Sequence, residues 1–183
     1  MRGLIIFENG MEDSEGVSSK ALLTRGAIRV DTVTTEPKKI IKTSYGLKIH
    51  VDYHVDEINL DDYDFLIVPG GPYIAKIYNK ENRLNEVIKH FYENDKMIGA
   101  LCAAPRWVGY MGFLKGKEFT CYPGCENDVL EGKFKPGAKV VKDGNFITGR
   151  SPAYVIEFIY EIVETLLDQK IANAILDHLA IIG

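Results

Sequence analysis

Three short runs of apolar residues constrain the fold of this chain more than any other feature. They are Gly3–Phe7 (GLIIF), Phe65–Val68 (FLIV) and Met97–Leu101 (MIGAL). Runs this short and this uniformly apolar are typical of strands buried on both faces, as in a parallel sheet. Segments with helical periodicity separate the runs. This order of elements predicts an α/β fold, with a parallel sheet and helices on both of its faces.

The first helix is delimited by its capping residues. Asp13 or Ser14 is the expected N-cap, and Gly26 is the expected end of the helix. Spacing places three apolar residues on one helical face, which we expect to be buried: Val17, Ala21 and Leu22.

Periodicity and turn residues predict the remaining elements. Helices are expected at roughly Asn82–Glu93, shortly after Cys102, behind Ser151-Pro152, and at about Lys170–Leu179. Strands and hairpins are expected at Ala27–Thr34, around Tyr45–Gly46, at Glu118–Tyr122 and around Asp143-Gly144.

Composition fits one globular domain, here taken as residues 1–183. The 183 residues carry a net charge of −4, which argues against a nucleic-acid-binding protein. No apolar run reaches the roughly 20 residues that a membrane span requires. Three cysteines and an N-terminus unlike a signal peptide predict a reducing, cytoplasmic location rather than a disulfide-stabilised secreted protein.

A ligand is expected beyond the carboxyl ends of the parallel strands. Three polar or glycine-rich tips lie there: Asn9–Glu15, Gly70–Gly71 and Cys102–Pro105. Cys102 stands where a buried strand passes into a helix, a position that resembles a nucleophile elbow. The exposed N–H groups of a helix start favour the thiolate. The alternative is a buried cysteine that acts as a small apolar residue.

Several ordered blocks of the sequence resemble the ThiJ/PfpI superfamily, and most closely its branch that includes Parkinson disease protein 7. The blocks are NGMEDSE, the PGG turn, GALCAAP, FTCYPG and KDGNFITGRSPAYVIEF. The resemblance runs from Gly3 to about Leu167. It implies a single-domain, three-layer sandwich with a mostly parallel, flavodoxin-like (Rossmann-like) sheet and a nucleophile elbow.

The resemblance also implies roles for individual residues. Cys102 is matched to the family's reactive cysteine, and Glu15 to a protonated carboxyl that hydrogen-bonds its sulfur. From the residues alone, Glu12 and Asp13 compete with Glu15, and all three acids also suit a helix N-terminus.

The PGG turn matches a family feature that is expected to bind a substrate oxygen. Gly70 and Gly71 would let backbone N–H groups approach that oxygen, together with the N–H of Ala103. A tight turn after a strand is the simpler interpretation of the same glycines, and it does not conflict with the first.

The sequence departs from the family's pattern at Tyr122, where many relatives carry a histidine. This substitution argues against a Cys-His protease or amidase, because the activating base is missing. Tyr122 remains a candidate to bind substrate. Cys121 and Cys125 are expected to be structural rather than metal ligands, and a redox role with Cys102 stays open.

The resemblance implies a cysteine-dependent enzyme that acts on small reactive carbonyls, such as glyoxal or methylglyoxal, or on their adducts with proteins. No cofactor and no metal are expected. The alternative is an oxidative-stress sensor or chaperone whose cysteine is oxidised with little turnover, and an intracellular protease or amidase ranks below both. The resemblance further implies a homodimer that packs near the first helix and the first hairpin.

Overall fold

Strands and helices alternate along the chain in the computed structural model, which describes residues 1–180. The strands are β1 (Arg2–Ile6), β2 (Arg29–Thr34), β3 (Ile40–Lys42), β4 (Lys48–His50), β5 (Tyr53–His54), β6 (Phe65–Val68), β7 (Met97–Leu101), β8 (Glu118–Phe119), β9 (Lys133–Phe134), β10 (Val140–Asp143) and β11 (Phe146–Gly149). The α-helices are α1 (Asp13–Arg25), α2 (Ile74–Ile77), α3 (Arg83–Glu93), α4 (Ala104–Tyr110), α5 (Val155–Leu166) and α6 (Gln169–His178). The final residues of the predicted 1–183 domain, 181–183, lie outside the described residues.

A seven-stranded sheet in the order β10-β11-β7-β6-β1-β2-β5 forms the middle layer. Every neighbouring pair is parallel except β10 with β11 at one edge. The chain moves in opposite directions across the sheet from β1 to β2 and from β6 to β7. Right-handed crossovers therefore place α1 and α3 on opposite faces. The predicted α/β class with a mostly parallel sheet is confirmed.

Buried apolar strands and amphipathic helices form the core. Every residue of β6 and β7 is buried, as expected for strands that are covered on both faces. Helix α3 buries its apolar stripe at the predicted spacing, namely Leu84, Val87, Ile88 and Phe91. The fully buried Trp107 of α4 donates a hydrogen bond to Asn85 Oδ1 at 2.8 Å, which joins α4 to α3.

The prediction for the buried face of α1 is correct for Leu22 and wrong for Val17 and Ala21. Val17 is 42% exposed and Ala21 is also exposed, whereas the buried side carries small and polar residues together with two leucines: Glu15, Gly16, Ser19, Leu22 and Leu23. Small residues on that side allow close packing. The more apolar Val17 and Ala21 are left beside the β3–β4 hairpin. The N-cap is Glu12 rather than Asp13 or Ser14, and Gly26 ends the helix as predicted.

The strand predicted at Glu118–Tyr122 is shorter than expected. Only Glu118–Phe119 forms a strand, and it pairs with β9 outside the central sheet. The backbone then leaves the ladder, because Thr120 N–H donates to the side-chain Oγ1 of Thr148 at 3.0 Å. Ser151-Pro152 opens a single 3₁₀ turn before α5 begins at Val155.

Both predicted hairpins are present. Strands β3 and β4 pair antiparallel around Tyr45–Gly46, and β10 and β11 pair around Asp143-Gly144. Within residues 1–180, no helix is both long enough and apolar enough to cross a membrane.

Candidate functional site

Cys102 occupies a sharp turn between β7 and α4. Its backbone has φ +62°, a left-handed conformation that non-glycine residues adopt only when the surroundings impose it. Two backbone hydrogen bonds impose it here. Cys102 N–H donates to Gly149 O at 2.9 Å, and Cys102 O accepts from Tyr122 N–H at 2.7 Å. The residue as a whole is left 8% exposed, at the carboxyl end of the sheet.

The Pro69-Gly70-Gly71 turn packs directly beneath this elbow. A Cβ atom on Gly70 would lie 2.8 Å from Ala103 N and 2.9 Å from Cys102 Cβ, so only glycine allows this approach. Gly71 has φ +124°, and a Cβ there would lie 2.6 Å from the backbone N of Glu12. The two glycines therefore bring three strand ends together.

Gly71→Ala is expected to destabilise the protein by at least about 2 kcal/mol, because it combines a left-handed backbone with a clash against fixed main chain. Gly112→Ala is the matched control. Gly112 also has positive φ (+83°), but open space surrounds its Cα, so the expected cost is only about 1 kcal/mol. Urea unfolding measures both values. Equal destabilisation by the two variants would show that the close packing at Gly71 contributes nothing.

The three acids near the start of α1 have different partners. Glu12 caps the helix, since its Oε2 accepts from Glu15 N–H and Ser14 Oγ, both at 2.7 Å. Asp13 accepts from Thr43 Oγ1 at 2.5 Å and from Tyr45 N–H at 3.0 Å, which fixes the first hairpin. Of the three, only Glu15 extends to the elbow.

Glu15 is fully buried and its carboxyl lies between Gly70 and Cys102. Oε2 accepts from Gly70 N–H at 2.6 Å. Oε1 has no hydrogen-bond partner of good geometry among residues 1–180, although the carboxyl interacts with the Cys102 thiol. The unsatisfied oxygen is therefore available to accept or donate a proton at the sulfur.

Burial changes the acidity of both groups. It raises the pKa of Glu15 to about 7, and the interactions with Cys102 and Gly70 oppose this rise. Burial also raises the pKa of Cys102, as does the Glu15 carboxylate, while the Ala103 N–H lowers it. The direction for Cys102 is opposite to that expected from the helix start alone. Ionisation of the thiol thus depends on whether Glu15 holds its proton.

Two backbone amides remain to bind an oxygen beside the thiol. The N–H groups of Gly71 and Ala103 donate to no protein oxygen within the described part of the chain, and the Ala103 N–H also interacts with the Cys102 sulfur, whose pKa it lowers. Gly70 N–H, which was also expected to contact substrate, instead holds Glu15. Tyr122 is half exposed, and its backbone N–H holds Cys102 O, so the residue lies next to the elbow.

The histidines have positions and contacts unrelated to this thiol. His54 caps a 3₁₀ turn, accepting from Asp56 N–H at 3.3 Å, and His90 Nε2 lies 3.3 Å from Asp61 Oδ1. His50 and His178 are exposed. In residues 1–180, no three His, Cys, Asp or Glu side chains come together as metal ligands do.

Two groups near the site were missed by the sequence analysis. Tyr73 is buried and donates its hydroxyl to Pro69 O at 2.8 Å, which fixes the glycine turn. Glu8 is 7% exposed and accepts from Thr34 and Thr35. Burial raises the pKa of Glu8. For Tyr73, the only available signal in the sequence was its position directly after PGGP. For Glu8, a position at the end of a strand does not by itself reveal a buried carboxyl.

Comparison with known proteins shows which family this chain is similar to. A family model described as the DJ-1/PfpI family matches residues 1–165. A Parkinson disease protein 7 homolog from Danio rerio is 30% identical over 175 residues, covering 93% of this chain and 92% of the relative. A deglycase of Pyrococcus abyssi is 29% identical over 167 residues, covering 91% of this chain and 99% of the relative. The crystal structure of Drosophila melanogaster DJ-1beta superposes with a TM-score of 0.92 at 25% identity, covering 100% of this chain and 98% of the other.

Proposed function

Because this chain belongs to the DJ-1/PfpI family, we propose that it converts small reactive dicarbonyls into hydroxy acids, using Cys102 as the nucleophile and no cofactor. The observation that carries the proposal is the buried Glu15 carboxyl beside the Cys102 thiol at a left-handed strand-to-helix turn. The same chemistry applied to a carbonyl adduct on a protein would remove the adduct. The deglycase name of the Pyrococcus abyssi relative supports that extension.

The reaction begins when the Cys102 thiolate adds to the aldehyde carbon of methylglyoxal. The amides of Gly71 and Ala103 stabilise the oxyanion, and Glu15 then supplies the proton that converts it to a hemithioacetal. Glu15 next removes the proton from the carbon bonded to sulfur and returns a proton to the neighbouring carbon, while the hydroxyl proton of the hemithioacetal passes to the former ketone oxygen. The product of this shift is a thioester. Water cleaves the thioester, so methylglyoxal and one water give lactate and restore the thiol.

The burial of Glu15 suits these proton transfers. A carboxyl with a pKa of about 7 is populated in both protonation states near neutral pH, which is the condition for efficient acid–base catalysis. Its bond to Gly70 N–H keeps one oxygen in place, and the other oxygen has no hydrogen-bond partner among residues 1–180.

The test is lactate formation from methylglyoxal by the purified chain after treatment with a chelator. Lactate released repeatedly per protein molecule supports the proposal. Single-turnover adduct formation without lactate would overturn it, and so would turnover that survives complete alkylation of Cys102. Cys121→Ala serves as the control, because Cys121 is fully buried and has no place in the proposed steps.

We also propose that the chain forms a homodimer through the outer side of α1 and the β3–β4 hairpin. Exposed or half-exposed apolar side chains lie together there: Val17, Ala21, Leu47 and Ile49. Leu47 is 53% exposed. Lys20 and His50 line the same surface. A group of exposed apolar side chains with polar residues around it is typical of an interface.

Leu47→Asp is expected to shift the protein from dimer to monomer. A carboxylate buried without a partner in an interface should weaken association by roughly tenfold or more. Leu130→Asp is the control, since Leu130 is 89% exposed and lies outside this patch. Light scattering coupled to gel filtration distinguishes the outcomes. A dimer that persists in Leu47→Asp would place the interface elsewhere.

A further inference from the structure

A second cysteine, Cys125, is linked to the elbow by two backbone hydrogen bonds. Tyr122 N–H donates to Cys102 O at 2.7 Å, and Cys125 N–H donates to Tyr122 O at 3.0 Å. The second bond closes a turn in which residues 122 and 125 lie within about 7 Å of each other. Cys125 is thereby anchored, through Tyr122, to the backbone of Cys102.

We propose that Cys125 is the resolving thiol of Cys102, so that mild oxidation closes a Cys102–Cys125 disulfide. This inference is independent of carbonyl turnover, because it concerns the oxidised state of the same sulfur. It also gives a role to one half of the C-x3-C pair, which the proposed enzyme mechanism does not use.

The environments of the three thiols distinguish Cys125 from Cys121. Cys102 and Cys125 are each 8% exposed, whereas Cys121 is fully buried. Cys121 Sγ lies 3.8 Å from Glu126 Oε2, its hydrogen-bond acceptor. Cys125 is also among the groups whose charge raises the pKa of Cys102. Cys125 is therefore the thiol placed to meet the oxidised sulfur.

Arg106 supplies the charge that a resolving thiol requires. Burial raises the pKa of Cys125, as do the carboxylates of Glu126 and Asp128, and the Arg106 guanidinium opposes that rise. Arg106 is held in place by an ion pair with Asp128 and lies 4.2 Å from the centre of the Tyr78 ring. A fixed cation close to a thiol favours the thiolate, which is the form that attacks an oxidised sulfur.

The chemistry needs only a peroxide as oxidant. The Cys102 thiolate attacks one peroxide oxygen, the O–O bond breaks, and protonation yields Cys102 sulfenic acid and water. The Cys125 thiolate then attacks the Cys102 sulfur, and the sulfenic hydroxyl leaves as a second water after taking up a proton. The protein loses two hydrogens in total while peroxide is reduced to two waters.

The test is peptide mass spectrometry of the full chain after one equivalent of hydrogen peroxide, without any carbonyl present. In wild type we expect a peptide pair linking Cys102 to Cys125, with the loss of two hydrogens. In Cys125→Ser and Cys125→Ala we expect that link to disappear. Cys102 in these variants should instead be trapped by dimedone as the sulfenic acid, or gain two oxygens as the sulfinate.

Cys121→Ala is the matched control and should retain the Cys102–Cys125 link. The rate of Cys102 alkylation by iodoacetamide in each variant, measured before oxidation, verifies that the elbow is folded. Three results would overturn the proposal: sulfinate as the main product in wild type, a link from Cys102 to Cys121, or a bond between two chains on a non-reducing gel. None of these results would bear on lactate formation.

Discussion

Lactate formation from methylglyoxal is expected to fall on the order of 10³-fold or more when Cys102 is replaced by serine. The serine hydroxyl ionises far above neutral pH and is a weak nucleophile. The neighbouring carboxyl cannot compensate, since Glu15 exchanges protons near neutral pH and a serine alkoxide would require a much stronger base. The substitution changes one buried atom, so the sheet and the elbow should stay intact.

Cys121→Ala and the melting temperature of each variant complete this experiment. Cys121→Ala should retain turnover, which separates the loss of a nucleophile from general damage to the cysteine-rich segment. Comparable activity in wild type and Cys102→Ser would remove Cys102 from the mechanism. The positive φ of Cys102 would then have no catalytic explanation.

Glu15→Gln is expected to lower turnover and to raise the rate of Cys102 alkylation. A structural defect would instead lower both. Turnover should fall by about 10²-fold or more, because glutamine cannot carry a proton between substrate atoms. Alkylation of Cys102 by iodoacetamide near neutral pH should become faster. The Glu15 carboxylate raises the pKa of the thiol, and a neutral amide removes that effect. Parallel loss of turnover and alkylation would reduce Glu15 to a packing role.

The same variant should change how stability depends on pH. Burial raises the pKa of Glu15 from 4.5 to about 7, so the folded state favours the protonated form. Its stabilising contribution is complete below the unfolded pKa and is lost as the pH rises through the folded pKa. Wild type should therefore lose up to about 3 kcal/mol relative to Glu15→Gln between about pH 5 and about pH 8. Melting temperatures of both proteins across this range measure the difference.

The central sheet was predictable from the sequence because its buried strands are uniformly apolar. Each residue of Phe65–Val68 and of Met97–Leu101 is buried on both faces, and such strands need no partner side chains to be recognised. The α3 stripe and the two hairpins were also predictable, since their signals lie within a few neighbouring residues.

The errors arose where tertiary contacts overrule local pattern. Val17 and Ala21 have the spacing of a buried face, yet packing of the small residues Gly16 and Ser19 turns them outward. The strand predicted through Tyr122 ends early because Thr120 bonds a side chain rather than a neighbouring strand. Periodicity describes one element and does not include the surface against which that element packs.

The role of each acid and the pKa of the thiol could not be predicted from the sequence, because both depend on tertiary contacts. Glu12, Asp13 and Glu15 are equivalent in composition, and only contacts with the hairpin, the helix start and the glycine turn distinguish them. The pKa of the thiol depends on burial and on a carboxyl 87 positions away (Glu15 to Cys102). The residues around the elbow predict neither the distinction among the three acids nor the pKa of the thiol.

The elbow also has a consequence for the order in which the chain matures. Both backbone bonds that hold Cys102 come from residues later in the sequence, Tyr122 and Gly149. A ribosome-bound chain that has not yet released Gly149 lacks one of these bonds, and the left-handed turn costs about 1–3 kcal/mol without such support. Until then Cys102 is an ordinary flexible thiol. The paired chemistry with Glu15 is acquired only after synthesis has passed Gly149, so a chain truncated before that residue carries the cysteine without its catalytic setting.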